Sequence, residues 1–314
     1  MSYKAPLERY PGKINQVEIG TGDSKVVVGG ETTMPFYLFE GEMPNSPKMA
    51  MEVCDETPED WAQALEDVFG DVWSDPVQWA RKCQDEFGAD LIALRLLSTD
   101  PNGTDQGPDE AVQTVQRVAG AISIPLIVYG SGNAYKDGEV LKKVSEQMEG
   151  QAMVLGPAVE ENYKTIAAAA MGFGHNVAGQ TPIDVNMAKQ LNILMTNLGL
   201  SGERILIDPS TGGLGYGLEY TYSVMERDRL AALQQNDTMM QMPLICDMGC
   251  EAWKAKEAKA GTDEHPEWGD PAKRGIMWEA IGSLSLLVAG ADILVLRHPE
   301  TLKLMRKTMS SFGL

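Results

Sequence analysis

The sequence is poor in the residues that bind nucleic acids and membranes. Its 314 residues include 45 Asp and Glu but only 26 Lys and Arg, and the formal net charge is −19. Because phosphate backbones and anionic lipids are bound by clustered cations, this balance argues against nucleic acid or a membrane surface as the main partner. No stretch approaches the roughly 18 uninterrupted apolar residues of a membrane span. The amino-terminal MSYKAPLERYPGK lacks the apolar segment of a secretory signal.

Residues that carry metal chemistry are also scarce. The three histidines are His175, His265 and His298. They form no HxH or HExxH pair, which argues against a zinc hydrolase, and no Asp-x-His-x-x-Gly signature of a cobalt-ligating histidine is present. The four cysteines are Cys54, Cys83, Cys246 and Cys250. Their spacing is not that of an iron–sulfur framework, so Cys246 and Cys250 are predicted to be ordinary thiols of a cytoplasmic chain.

The sequence does contain eight short apolar runs that alternate with longer amphipathic segments, a pattern typical of βα units. The runs are 49–55, 89–98, 124–131, 151–157, 175–180, 204–210, 243–248 and 291–298. Eight such units predict an α/β fold, a (β/α)8 TIM barrel, in preference to an open doubly wound sheet. None of the predicted strands carries a lysine, which makes a Schiff-base aldolase improbable.

The segment before the first barrel strand has a different pattern. Residues 14–30 alternate as two strands joined by Gly22-Asp23, which predicts a β-hairpin that plugs the amino-terminal end of the barrel. We therefore expect residues 1–48 to form an amino-terminal extension packed on a barrel of residues 49–314, in one domain. No internal repeat or linker interrupts this organisation.

Turn and capping residues predict where the helices begin. Thr181-Pro182 is expected to cap a helix with Ala188, Leu191, Met195 and Leu198 on one face, ended by Gly199. Asp137 is expected to open a helix whose apolar side is Val140, Leu141, Val144 and Met148. The last helix is predicted to follow His298-Pro299 and to include Leu302, Met305 and Met309.

Residues 31–75 are strongly acidic. They contain twelve Asp and Glu residues and a single basic residue, Lys48. A solvated, solubilising face is the preferred interpretation, and a docking surface for a basic partner is the alternative.

Barrel enzymes place their chemistry in the loops after the strands, and here those loops are long, polar and rich in glycine. Residues 213–217 read Gly-Leu-Gly-Tyr-Gly, which is not a dinucleotide fingerprint and is equally typical of a tight surface loop. Charged residues also lie in or at the ends of the strands: Glu52, Asp55, Arg95, Asp208, Asp247 and Arg297. Two interpretations stay open, a polar mouth that orients a ligand, or a pairing of Glu52 or an aspartate with Arg95 or Arg297 inside the barrel.

The segment after the sixth strand, DPSTGGLGYGLEYTYSVMERDRLAALQ (208–234), resembles the same segment of the small subunit of the corrinoid iron–sulfur protein. The archaeal counterpart of that family is the delta subunit of the acetyl-CoA decarbonylase/synthase complex. Similar stretches are 130–146, 162–177, 183–200, 242–258 and 268–281. The resemblance covers the barrel from about its third strand to its end.

The resemblance implies a (β/α)8 barrel that forms a heterodimer with a large subunit. A cobalamin-type corrinoid would lie at their interface, with this chain covering it, and the [4Fe–4S] cluster would belong to the large subunit. The assembly would carry a methyl group on cobalt from a methyltetrahydrofolate (or pterin analogue) methyltransferase to acetyl-CoA synthase, in the reductive acetyl-CoA pathway of carbon dioxide fixation. A reductive activator is a further expected partner. The chain would be a scaffold and gate without catalytic or metal-ligating residues, and keeping protein ligands off cobalt would assist its reduction.

Positions at the strand ends predict which residues lie nearest to the corrinoid or to the moving partner domain. They are Asp100, Asn102, Ser131, Asn133, Gln180, Thr181, Asp208, Thr211, Tyr216, Asp247 and Arg297. For Asn133 and Thr181, loop hydrogen bonding or capping is the preferred role.

Two other functions are weighed against this one. A stand-alone barrel methyltransferase would bind a pterin in its mouth with Asp208, Asp247 and Asn102. A barrel enzyme acting on a phosphorylated ligand is less well supported, because the loops after the seventh and eighth strands lack the paired glycines of a phosphate site.

Overall fold

The computed structural model describes residues 6–314, so the first five residues of the predicted extension lie outside the described residues. Ten strands lie within that range: β1 (Gln16–Ile19), β2 (Val26–Gly29), β3 (Lys48–Cys54), β4 (Leu91–Arg95), β5 (Leu126–Tyr129), β6 (Val154–Ala158), β7 (Asn176–Gln180), β8 (Ile205–Asp208), β9 (Leu244–Asp247) and β10 (Ala291–Leu296). Strands β3 to β10 are parallel and form a closed barrel, with β10 paired to β3. The predicted (β/α)8 barrel is confirmed, and each of the eight apolar runs overlaps one strand.

Helices connect the strands and surround the barrel. They are α1 (Gln63–Phe69), α2 (Pro76–Asp85), α3 (Pro108–Ala119), α4 (Ala134–Gln147), α5 (Tyr163–Phe173), α6 (Val185–Asn197), α7 (Leu218–Leu233), α8 (Met248–Lys254), α9 (Lys256–Lys259), α10 (Pro271–Ala289) and α11 (Pro299–Phe312). Within residues 6–314, none of these helices has the length and apolar character needed to cross a membrane.

The barrel strands are apolar on both faces because one face points into the barrel and the other packs against the helices. Side chains such as Ala93, Ile127, Leu206 and Val295 form a buried cluster inside the barrel. The alternate residues join a larger cluster with the helices. This double burial explains why the strands are continuous apolar runs in the sequence.

The predicted hairpin is present as the antiparallel pair β1 and β2, and its connection includes a short 3-10 turn at Gly22–Ser24. Val17, Ile19 and Val28 belong to the same buried cluster as the interior side chains of the barrel. The hairpin lies at the amino-terminal ends of the strands, where Gly20 N donates a hydrogen bond to Ala152 O at 2.9 Å. The hairpin therefore plugs this end of the barrel, as predicted.

Three predicted boundaries are wrong. Helix α6 begins at Val185 and is capped by Asp184, whose carboxylate accepts from two helix amides. Thr181 does not cap it, because the backbone amide of Thr181 extends the pairing of β7 with β8 by donating a hydrogen bond to Asp208 O at 3.3 Å. Helix α4 begins at Ala134, so Asp137 lies in its first turn rather than opening it. Strand β3 begins at Lys48, so one barrel strand does carry a lysine, at its amino-terminal end away from the rim.

The apolar helix faces largely match the prediction. Val140, Leu141 and Val144 of α4 are buried, as are Leu302, Met305 and Met309 of α11. On α6 the predicted face is buried as far as Met195, whereas Leu198 is 40% exposed.

The acidic stretch 31–75 is not a uniformly solvated face. Glu52 and Glu31 are buried, Glu52 inside the barrel and Glu31 against Arg229 and Asp292 near the amino-terminal end of β10. Asp55 is half-buried and accepts a hydrogen bond from the amide of Ser98 at 3.0 Å. Only the remaining acids fit the preferred interpretation.

Candidate functional site

A buried ionic network fills the centre of the carboxyl-terminal mouth. Glu52 of β3 accepts hydrogen bonds from Arg297 Nε and Nη2, both at 3.0 Å, and from Arg95 Nε at 3.1 Å. Arg95 also donates to Asp247, at the end of β9. Burial acts to raise the pKa of Glu52, but the charges of Arg297 and Arg95 outweigh it and lower the pKa to about 2. The pairing interpretation is therefore supported, since each of these buried charges has an opposite charge beside it.

Asp208 is a further buried acid of the mouth, and within residues 6–314 it accepts hydrogen bonds only from uncharged groups. Gln180 Nε2 donates to its Oδ2 at 2.9 Å, and Ser210 N donates to its Oδ1 at 2.9 Å. Burial, with a smaller contribution from Asp247, raises the pKa of Asp208 to about 7, although the Ser210 amide opposes the shift. Together with the ionic network, Asp208 makes three carboxylates and two guanidinium groups, and a proton on Asp208 would balance their charges.

Several hydroxyl groups at the mouth are buried without a partner among residues 6–314. The hydroxyl oxygens of Tyr129 and Thr181 are inaccessible to solvent and form no hydrogen bond within that range. The hydroxyl of Thr211 is also inaccessible, and it lies beside the thiol of Cys246. The ring of Tyr129 lies under Arg95, whose guanidinium carbon is 5.1 Å from the ring centroid. Buried hydroxyl groups are normally hydrogen-bonded, so those without a partner are exceptions at the mouth.

The glycine-rich loop after β5 is held from inside. Ser131 N and Gly132 N donate to the two carboxylate oxygens of Asp137, at 2.8 and 3.0 Å. Asn133 caps α4 by accepting from Lys136 N at 3.2 Å, which confirms its predicted capping role. Since these two loop amides already bind a carboxylate of the chain itself, they do not form a phosphate cradle.

The loop after β8 is tight and displays a tyrosine at its tip. Gly212 N donates to Thr221 Oγ1 at 2.8 Å, and Tyr216 N donates to Gly213 O at 2.9 Å. A Cβ atom on Gly212 would lie 2.5 Å from the backbone of Gly217, so only glycine fits there. Tyr216 is 64% exposed. The interpretation of 213–217 as a tight surface loop is thus supported.

The structure brings together only part of the predicted site. Gln180, Asp208, Asp247 and Arg297 lie in or beside the ionic network. Ser131, Asn133, Thr181, Thr211 and Tyr216 lie in the loops around it. Asp100 and Asn102 bond to each other instead, with Asn102 N donating to Asp100 Oδ1 at 2.8 Å, and line a separate surface depression with Glu56.

A groove of about 820 Å³ beside the mouth is a feature that the sequence does not reveal. We call it the α4–α6 groove. It is lined by Gly132, Asn133, Ala134, Tyr135, Val159, Glu160, Glu161, Gln180, Thr181, Pro182, Met187, Gln190, Leu191, Leu194 and Ser210. Tyr135 and Met187 are large apolar side chains left 80% and 43% exposed. Their only sequence signal is a position in the first turn of a helix that follows a rim loop.

Two further candidate ligand side chains near the rim are His298 and Cys246, whereas Cys250 is a free, partly buried thiol. His298 Nδ1 accepts a hydrogen bond from Glu300 N at 3.1 Å, and burial lowers the pKa of the imidazole to about 4. Cys246 is buried, with Sγ 3.7 Å from Met225 Sδ. Among residues 6–314, no group of three or more His, Cys, Asp or Glu side chains is placed to hold a metal ion.

Comparison with known proteins shows which family shares this sequence. Residues 16–312 match the family model of the CO dehydrogenase/acetyl-CoA synthase delta subunit. Subunit delta of the acetyl-CoA decarbonylase/synthase complex of Archaeoglobus fulgidus is 38% identical, over 98% of this chain and 70% of the relative. The same subunit of Methanothermobacter thermautotrophicus is 36% identical, over 99% of this chain and 78% of the relative.

Solved structures share the fold at much lower identity. Dihydropteroate synthase from Stenotrophomonas maltophilia superposes with a TM-score of 0.57 and 14% identity, covering 85% of this chain and 93% of that one. The likeness to dihydropteroate synthase shows a common barrel architecture.

Proposed function

Because the chain belongs to the CO dehydrogenase/acetyl-CoA synthase delta subunit family, we propose that it covers one face of a corrinoid in a methyl-transfer complex. A large subunit would hold the other face and the [4Fe–4S] cluster. The methyl donor would be a pterin methyltransferase, the acceptor acetyl-CoA synthase, and a reductive activator would restore the cofactor. When bound, the corrinoid supplies the cobalt that carries the methyl group. We place this complex in the cytoplasm, and we propose that residues 1–48 and 49–314 fold as one domain.

The observation that carries the proposal is the internal pairing of the charges in the mouth. Glu52, Arg95, Arg297 and Asp247 bond to one another, so none of them is free to act as a nucleophile or as a base. A corrinoid is a flat apolar ring with amide side chains around its edge. It fits a neutral surface that offers hydroxyl and amide groups better than one that offers a free charge.

One exposed side chain of the rim suits such a ring. Tyr216, at the tip of the loop after β8, is 64% exposed, and its ring can pack on the apolar surface of the corrinoid. His298 keeps its Nδ1 bound to a backbone amide, so its other ring nitrogen carries the proton and offers no lone pair to a metal. In this arrangement the chain contributes contacts around the cofactor and no axial ligand.

The stand-alone pterin methyltransferase remains the second candidate because of one observation. Asp208 is buried, has no cation bonded to it and could accept from a ligand. The other two side chains that such an enzyme would use are occupied or distant, since Asp247 binds Arg95 and Asn102 binds Asp100.

The test is to co-purify the chain with its large subunit and record sedimentation and visible absorption. We expect a stoichiometric complex whose corrinoid bands are lost when the large subunit is removed. Tyr216→Ala is expected to lower the corrinoid retained by the complex, while Thr165→Val, on the exposed face of α5, leaves it unchanged. A colourless monomer that turns over methylated pterin would overturn the proposal in favour of the enzyme.

A further inference from the structure

The α4–α6 groove has a chemistry that differs from that of the mouth. Met187, Leu191 and Leu194 are spaced by four and three residues, so they form one apolar stripe along α6. Tyr135, from the first turn of α4, also lines the groove. A large exposed apolar surface next to a polar rim is typical of a surface that binds another molecule.

The charged side chains that line the groove are both acidic. Glu160 and Glu161 follow β6 and are exposed, and no Lys or Arg is among the lining residues. The other lining polar groups are neutral, such as Asn133, Gln180 and Gln190. The groove is thus apolar along its length, with negative charge on the loop after β6.

We propose that the α4–α6 groove docks a basic, apolar segment of the large subunit, one with large apolar side chains flanked by Lys or Arg. This inference rests on the proposed function for the identity of the partner, and it adds the chemistry of the contact. Apolar side chains of the segment would bury Tyr135, Met187 and Leu194, and its cations would face Glu160 and Glu161. Complementary charge of this kind speeds association and selects the partner.

The same charges argue against other occupants. A second copy of this chain would bring a net charge of −19 toward an acidic groove, which is repulsive. The phosphodiester of a corrinoid's nucleotide would be repelled by Glu160 and Glu161 for the same reason. Because the groove opens beside Gln180, Thr181 and Ser210, a segment held in it lies next to a molecule that covers the mouth.

The first experiment identifies what occupies the groove in the assembled complex. Tyr135 is replaced by the photo-reactive p-benzoylphenylalanine, the complex is irradiated, and the cross-linked peptide is sequenced by mass spectrometry. We expect one segment of the large subunit with at least two Lys or Arg beside large apolar residues. A cross-link to an acidic segment, to a second copy or to the corrinoid would overturn the proposal, as would the absence of any cross-link.

The second experiment measures the charge contribution. Affinity for the purified large subunit is compared between Glu160→Lys with Glu161→Lys and a matched control, Glu149→Lys with Glu203→Lys. The control changes the net charge equally but lies near the amino-terminal ends of the strands, where both acids are exposed. We expect the groove variant to bind on the order of ten-fold more weakly at low salt and to approach the wild type at high salt, because the salt screens exposed charges. Equal affinities of the two variants would refute the inference.

Truncation of the exposed aromatic gives a readout that does not depend on charge. Tyr135→Ala is expected to weaken binding on the order of ten-fold at either salt concentration, as interface aromatics do. The corrinoid content of the wild-type complex is recorded in parallel. A complex without corrinoid absorption whose affinity is still lowered by the groove variants would refute the proposed function and support the docking site. A complex with corrinoid absorption whose affinity is unchanged by these variants would support the proposed function and refute the docking site.

Discussion

Replacing Glu52 by Gln tests whether the ionic network holds the mouth together. Glu52 is fully buried, and its carboxylate accepts three hydrogen bonds from Arg95 and Arg297. Its pKa is lowered from 4.5 to about 2, which corresponds to about 3 kcal/mol of stabilisation at neutral pH. Removal of the charge leaves Arg297 buried without its anion, and breaking a buried pair in this way costs roughly 3–5 kcal/mol. The two magnitudes agree, so we expect a loss of about 3 kcal/mol or more.

The measurement is urea unfolding of the wild type, of Glu52→Gln and of the exposed control Glu203→Gln, which should be unchanged. A carboxylate whose pKa is lower in the folded than in the unfolded state stabilises the fold at pH values above its unfolded pKa. This stabilisation is lost as the pH falls through the folded pKa. The wild type should therefore lose its advantage over Glu52→Gln between about pH 4.5 and pH 2. Glu52→Gln combined with Arg297→Met should recover part of the stability, because no unpaired cation remains at that position. A loss below about 1 kcal/mol for Glu52→Gln at neutral pH would refute the network as a source of stability.

The pH dependence expected for Asp208 is opposite to that of Glu52, because its pKa is raised from 3.8 to about 7 and its ionised carboxylate destabilises the fold. The unfolding free energy of Asp208→Asn should therefore rise relative to that of the wild type between pH 4 and pH 8, by up to about 4 kcal/mol. A constant difference in unfolding free energy across this range would contradict the assignment. Ile19→Ala should cost about 2–5 kcal/mol in thermal unfolding, because this hairpin side chain is fully buried in the barrel interior, and a cost under 1 kcal/mol would mean that the hairpin is not a plug. Gly212→Ala should open the tight loop and increase its hydrogen exchange, since the new Cβ would meet the backbone of Gly217. Gly172→Ala, in α5 with open space around it, should instead stabilise the chain by up to about 1 kcal/mol, and similar behaviour of the two glycine variants would contradict the loop geometry.

The barrel could be predicted from the sequence because its signal is local. Each strand is buried on both faces and is therefore a short continuous apolar run. The hairpin signal is also local, because exposed and buried residues alternate along β1. The start of α6 could not be predicted, because Thr181 and Asp184 are both good caps. The choice depends on Asp208, whose carbonyl binds the amide of Thr181 from a different strand. Local sequence does not contain that contact.

For the candidate site, the sequence predicted which residues lie at the strand ends but not which of them contact one another. The sequence indicated that Glu52, Arg95 and Arg297 lie in or at the ends of strands, and it left open whether they bind a ligand or one another. The choice is made by closure of the barrel, which brings Glu52 next to Arg297 across 245 positions of the chain. The α4–α6 groove as a whole could not be predicted for a related reason, because its walls come from loops and helices that meet only in the folded barrel.

Charge pairing in the mouth bears directly on the choice between a covering subunit and an enzyme. A general acid or base must be able to exchange a proton with its substrate near neutral pH, and a carboxylate with a pKa of about 2, such as Glu52, is not suited to that role. Asp208 has a suitable pKa, yet its two oxygens are bonded to Gln180 and Ser210, and no cation is bonded to it to bind an anionic substrate. An acid held in this way beside a network of paired charges is better suited to adjusting the charge of a covered surface than to moving protons through a reaction. The pairing of charges in the mouth therefore supports the covering role that we propose, on physical grounds separate from family membership.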